Sequence, residues 1–269
     1  PIAVRMFNLK GKDSEKYFRE VEDKLVEETN YILELEQGQA ITNACKKIEN
    51  LEFPNYYKEL SSERIITMDW MKGQHLGDFV KTPFAPDLGH QLGQTLWDFY
   101  MFQIHGLKKV HADPHPGNFL INKDGTLIAI DFGCIKEIPE SFYVPYFEMA
   151  NKDNIANREV FRQKMYALEI LLSTDSPAEI RFFEELFHEM LSLFTTPFHD
   201  EEFDFGDERF WNRIAALSEK FSSDKTLRKM NGNRGSKHFI YMNRTFFGLY
   251  NLLHDLKAKV KINEFQKYL

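Results

Sequence analysis

Three oxygen-bearing side chains, Asp113, Asn118 and Asp131, are the residues of this sequence best suited to chemistry. All three are hard donors. Magnesium accepts such donors, takes one or two carboxylates from a protein, keeps several waters and binds phosphate oxygens as well. Phosphate groups of a nucleotide would supply the remaining ligands. The first two donors lie in Val110-His111-Ala112-Asp113-Pro114-His115-Pro116-Gly117-Asn118-Phe119, and the third opens Asp131-Phe132-Gly133. Pro114 and Pro116 stiffen a loop that must hold acidic groups close together. Gly117 permits close approach of the backbone. His111 reads as a residue that packs and hydrogen-bonds around the loop. His115 either holds the loop or faces phosphates. No cluster of Cys or His accompanies them, which argues against zinc. Cys134 reads as a small buried apolar residue.

These donors need elements to bring them together. Phe119-Leu120-Ile121 and Leu127-Ile128-Ala129-Ile130 are short apolar runs, separated by Asn122-Lys123-Asp124-Gly125, and Asp-Gly favours a tight hairpin turn. The first motif therefore enters a hairpin and Asp131 leaves it. Upstream, Phe18, Val21, Leu25, Glu28 and Ile32 recur at helical steps, predicting one long helix over about 14–47. Arg64 to Met71 has the β-branched and aromatic content of a strand and is expected to form a hairpin with the stretch around Phe53 to Tyr57. A helix is expected from Leu88 to Ile104, capped by Asp87 and stopped at Gly106. Beyond Pro139 the chain reads as helical over 142–149, 157–172, 177–194, 210–221 and 239–260, with loops at 195–206 and 229–235.

Spacing sharpens the reading. In the protein-kinase pattern the catalytic-loop Asp is followed by four residues and then Asn, and a strand-turn-strand leads to Asp-Phe-Gly. Asp113 to Asn118 reproduces that interval. Ala112 stands where the pattern has Arg. The string from Val110 to Phe119, with Ile130-Asp131-Phe132-Gly133, closely resembles the UbiB/AarF family of atypical protein-kinase-like proteins. Glu27 to Glu34 is similar to that family's "EELDYxxEA" helix, and Ile66 to Gly73 to its "VLTMEWIEG" strand and hinge.

The resemblance implies an α+β protein-kinase-like fold, mostly the helical C-terminal lobe. It divides into a partial N-lobe over 1–72 and a C-lobe over 73–269. It implies Asp113 at the catalytic position and Asn118 and Asp131 as magnesium ligands. It further implies Glu28, or else Glu34, as the helix glutamate that pairs with a phosphate-binding lysine. Met68, Trp70 and Met71 would lie beside the adenine of ATP. Asn30 departs from the family's Asp. No lysine strand or nucleotide loop is found, so about the first third of the family domain is expected to lie outside this sequence. The implied activity is Mg-ATP-dependent phosphoryl transfer or ATP hydrolysis, in support of quinone or other prenyl-lipid metabolism. The alternative is a non-catalytic, nucleotide-binding regulator of a lipid-pathway complex.

Composition bounds the rest. The 269 residues are 43% hydrophobic and 28% charged, which fits a globular chain. The net charge of -7 argues against nucleic acid. Two cysteines, Cys45 and Cys134, do not suggest a disulfide framework and point to a reducing compartment. A cytoplasmic setting is expected, with peripheral contact at the inner face of a membrane. Phe182, Phe183, Phe187, Phe194 and Phe198 form an aromatic group that reads as core before it reads as lipid-facing. Lys257, Lys259 and Lys261 make a short basic stretch.

Overall fold

The deepest surface of the chain is aromatic, and it lies on one helix. Trp97, Phe99 and Tyr100 have no exposure and sit on α3, Pro86–Phe102. The computed structural model describes residues 31–223 and 234–269. Within them, α1 spans Tyr31–Cys45 and buries Leu35, Gly38, Ile41, Thr42 and Cys45, a stripe at three- and four-residue steps. The earlier part of the expected long helix, with Phe18, Val21, Leu25 and Glu28, lies outside the described residues. After β1 (Leu51–Glu52) and β2 (Gln74–His75) comes one helical turn, α2 (Leu76–Phe79), and then α3.

Four strands make the main sheet. β4 (Phe119–Ile121) and β5 (Leu127–Ala129) form the expected hairpin, with Phe119 opposite Ala129. β1 adds to β5 in parallel and β2 to β4 antiparallel, giving the order β1-β5-β4-β2. All six residues of the hairpin strands are buried, so the apolar runs read as buried on both faces. A second pair, β3 (Lys109–His111) with β6 (Ile135–Glu137), flanks it.

The rest is largely helical: α4 Glu140–Ala150, α5 Lys152–Ala156, α6 Arg158–Ala167, α7 Pro177–Phe194, α8 Glu208–Ser223 and α9 Lys237–Asp255. α7 begins with a reciprocal capping box between Ser176 and Glu179. The layout is a mixed α+β, largely helical protein-kinase-like fold.

Five expectations are corrected. Arg64 to Met71 forms no ladder. Tyr57 N–H donates to the Thr67 carbonyl and Asp69 N–H to that of Asn55, both at 2.9 Å, but pairing stops at isolated bridges. Ile65, Met68 and Trp70 are exposed, so no buried face drives a strand there. The helix expected over 239–260 ends at Asp255, because Lys259–Lys261 is a strand, β8, paired with β7 (Glu202–Asp204). β7 lies inside the stretch expected to be a loop. Ala85, not Asp87, precedes the first turn of α3, which Pro86 opens. The left-handed residue that ends it is Lys108 (φ 52°), after a wide turn over Gln103–Leu107, rather than Gly106.

The aromatic group expected on α7 belongs to the core. Phe183 and Phe187 are buried, and Phe182, Phe194 and Phe198 pack against them half-buried. Among the described residues no helix is long and apolar enough to cross a membrane.

α3 also buries a carboxyl. Asp98 is 3% exposed and accepts a hydrogen bond from Gln94 Nε2 at 2.9 Å. Burial pushes it up to about 7, against the opposing pull of Gln94. In the unfolded chain it ionises near 3.9, so its contribution to stability is lost as pH rises from about 4 through 7. Asp98→Asn removes that loss. Urea denaturation is expected to show the variant more stable than the parent at pH 8 by on the order of 2 kcal/mol, with the gap closing at pH 4.

Candidate functional site

The two strand pairs place the three oxygen donors at neighbouring ends. His111 at the end of β3 lies opposite Ile135, and Ala112 N–H donates to the Cys134 carbonyl at 2.8 Å. Asp113 therefore leaves one ladder beside the turn that Asp131, Phe132 and Gly133 make. Asn118 enters the other ladder, and its carbonyl accepts the Ile130 N–H at 3.0 Å. The backbone thus ties Asn118 to the residue before Asp131. A side-chain bond ties it to Asp113 as well, since Asn118 Nδ2 donates to the Asp113 carbonyl at 3.0 Å. That bond engages the amide nitrogen and leaves Oδ1 as the donor atom a cation needs.

Local bonds hold each piece. Pro116–Asn118 is a 3-10 turn, and the His115 Nδ1 accepts the Gly117 N–H at 3.1 Å, so His115 holds the loop. Asp131 Oδ1 accepts the Gly133 N–H at 2.8 Å. Phe132, 1% exposed, anchors the turn among the rings of Phe53, Phe99 and His111, with centroids 6.1, 6.4 and 5.8 Å away. His111 is buried and its own N–H donates to Gln103 Oε1 at 2.9 Å. Burial pushes its imidazole down to about 4, although Asp131 and Asp113 pull the other way. His111 is therefore a neutral, packed residue, as expected. Cys134 is only half-buried.

Of the two glutamates weighed for the helix, Glu28 lies outside the described residues. Glu34, on the first turn of α1, reaches the site. A carbon added at Gly133 would lie 3.4 Å from Asp131 Oδ1 and 3.5 Å from the Glu34 carboxyl carbon. Burial pushes Glu34 up, and the negative charge of Asp131 adds to it. Tyr56 joins them: its ring is 3.4 Å from where a carbon on Gly38 would sit, and burial, then Glu34 and Asp131, push its hydroxyl up. Two carboxylates facing each other in this way make a place where a cation is favoured.

The three residues expected beside the adenine do not share one surface. Trp70 is 90% exposed and Met68 is partly exposed, whereas Met71 lines a polar cavity beside α1 with Gln39, Asn43 and Asp69. Gly73 is pressed onto β4, where an added carbon would lie 2.9 Å from the Ile121 carbonyl oxygen.

Three residues of the site were not anticipated from sequence. Arg244, on α9, donates from Nη2 to Asp113 Oδ1 at 2.9 Å. One helical turn further on, Gly248 rests on the loop, where an added carbon would be 2.4 Å from Pro114 Cγ. Tyr100 is fully buried behind Asp113, and its hydroxyl has no partner among the described residues. Burial, then Asp113 and Cys134, push that hydroxyl up. An arginine 131 positions away on an amphipathic helix carries no local signal of such a role.

The donor set suits one metal better than others. Among the described residues no three His, Cys, Asp or Glu side chains are grouped to hold an ion. One carboxylate and one amide oxygen match magnesium, which leaves most of its shell to water and phosphate.

Comparison with known proteins bears on the family and the fold. Residues 2–163 match the model of the ABC1 atypical kinase-like domain. An uncharacterized chloroplastic aarF domain-containing protein kinase of Arabidopsis thaliana is 29% identical over 147 residues, which is 53% of this chain and 20% of that protein. The mitochondrial atypical kinase COQ8B of Danio rerio is 24% identical over 196 residues, 72% of this chain and 30% of that protein. The chain thus spans less than a third of the length of these relatives. The structure of Rv3197 from Mycobacterium tuberculosis, solved in complex with erythromycin, aligns at TM-score 0.71 and 20% identity. The alignment covers 96% of this chain and 62% of that one.

Proposed function

Because this chain belongs to the ABC1 atypical kinase-like domain family, we propose that it carries the magnesium-holding and acceptor-orienting half of an ATP-dependent phosphoryl-transfer or ATP-hydrolysis site. One observation carries the reading: Asp113, Asn118 and Asp131 leave the adjoining ends of two strand pairs, with Asn118 bonded to the backbone of Asp113 and of Ile130, the residue before Asp131. Asn118 Oδ1 and the Asp131 carboxylate would hold magnesium. The ion, when bound, would supply positive charge against the phosphate oxygens. Asp113 orients a hydroxyl or water. Glu34 faces Asp131 and takes the place of the lysine-pairing glutamate in this reading, ahead of Glu28. The division into lobes near residue 72, and the link to quinone or other prenyl-lipid metabolism at a membrane face, belong to the same proposal.

A specific contact favours a second reading, the non-catalytic regulator. Arg244 occupies the Asp113 carboxylate that an acceptor would need. That pair is exposed, at 67% and 42%, and so it is weak enough to open.

Nucleotide binding tests both. In the full-length protein, ATP with magnesium at about 100 times its dissociation constant is expected to add about 2.7 kcal/mol of stability. That gain appears as a higher melting temperature. EDTA should remove most of the rise. A melting temperature indifferent to ATP, with or without magnesium, sinks both readings.

A further inference from the structure

We propose that the cavity between α4, α7 and α9 binds a fatty-acid-like molecule, one apolar tail with a monoanionic head, and that Arg244 makes this binding compete with its hold on Asp113. The cavity measures about 440 Å³. Protein interiors rarely leave voids larger than a water molecule, whereas sites for small molecules run from about 300 to 1,000 Å³. Its wall is almost wholly apolar, with Phe147, Met190, Phe194 and Tyr250 among its residues. The polar groups in it are few, and most are already committed. Asn243 Oδ1 accepts from Tyr146 at 2.9 Å, and the Thr195 hydroxyl donates to the Leu191 carbonyl at 2.8 Å.

Charge then selects the ligand. Among the described residues Arg244 is the one charged residue lining the cavity, and its side chain is largely exposed, so it stands at the mouth. An apolar tail in the cavity gains about 25 cal/mol for each Å² removed from water. A carboxylate head at the mouth can take two parallel bonds from the guanidinium fork. A cationic head would be repelled there, and a neutral one would leave Arg244 where it is. Arg244 holds Asp113 through one hydrogen bond between exposed groups, and such pairs are worth about 0–1 kcal/mol. A head anchored by its tail is well placed to displace that bond. The helix itself need not shift, because Gly248 is seated on Pro114.

Binding stands on the cavity and Arg244 alone; only its consequence for turnover rests on the nucleotide reading. The test is calorimetric titration of the chain with laurate, below its micellar concentration and without nucleotide, beside dodecanol and dodecylamine. The expected result is one laurate per chain, about tenfold weaker binding in Arg244→Gln, and loss of binding in Ala150→Trp, which fills the cavity. Dodecanol should bind both parent and Arg244→Gln alike and more weakly than laurate. Asp113→Asn removes the charge that holds Arg244 and should tighten laurate several-fold. No laurate binding, or equal binding by the parent and Arg244→Gln, overturns the site. If Ala150→Trp fails to fold by circular dichroism, Arg244→Gln decides, because its side chain is exposed. Unchanged affinity in Asp113→Asn overturns the competition.

Discussion

Asp131→Asn in the full-length protein is expected to cut magnesium-dependent ATP turnover by at least about 100-fold, the scale on which removing one preorganised electrostatic contact acts. The substitution keeps the acceptor that meets the Gly133 N–H and removes only the charge. Asp131 is exposed, so the melting temperature of the nucleotide-free protein should be nearly unchanged. Raising magnesium should recover part of the loss, because the defect lies in holding the ion. Asp113→Asn separates the two readings of the site. The enzyme reading expects a comparable fall in turnover with ATP affinity preserved. The regulator reading expects no turnover to lose in the parent. Steady-state phosphate release together with nucleotide affinity measures both.

The largest expected effect on stability comes from a pair remote from the site. Arg234 and Asp175 are 8% and 4% exposed, with Nη1 bonded to both carboxylate oxygens at 2.8 and 2.6 Å. The guanidinium also lies 4.2 Å from the centre of the Phe183 ring, and Leu172 N–H donates to the carboxylate. Removing one partner of a buried pair strands the other charge. Arg234→Ala should therefore cost about 3–5 kcal/mol in urea unfolding. Replacing both partners, as Arg234→Met with Asp175→Asn, should recover most of it.

The pH dependence of that cost has a definite sign. Burial pushes Asp175 up, but the Arg234 bond, the Leu172 N–H and the Arg234 charge together hold it below its ordinary value. A depressed carboxyl gives its full stabilisation above the unfolded value near 3.9. It loses that stabilisation as pH falls through the folded value. The gap between parent and Arg234→Ala should close in that acid window.

What could be read in advance follows interaction range. The hairpin and the family resemblance were legible because Asp-Gly, the two apolar runs and the motif spacing all lie within twenty residues. α7 was legible at both ends, since Pro177 and its capping residues mark the start. The end of α9 was misread, although the signal was present. Ala258, Val260 and Ile262 are buried while Lys257, Lys259 and Lys261 alternate with them, a period of two. The lysine stretch had been weighed as a basic patch; in the fold Lys259 pairs with Glu202 instead. Arg64 to Met71 failed in the opposite direction. Its composition suits a strand, but Ile65 and Trp70 are exposed, and propensity without burial makes only bridges. The sequence reading put Glu28 ahead of Glu34; the approach of Glu34 to Gly133 depends on where α1 packs, which no local signal shows. Arg244 was beyond reach, since only the packing of α9 onto Pro114 brings it to Asp113.

The ties between Asn118, Asp113 and Ile130 bear on the order in which this protein assembles. Asp113 to Asp131 is a short contour, so closing it costs little chain entropy and little search. The segment that carries the proposed metal ligands is thus a nascent unit that the chain can organise early and locally. The groups that set its charge, Glu34 on one side and Arg244 on the other, must be delivered from opposite ends of the polypeptide. They arrive only when the whole tertiary structure condenses around it.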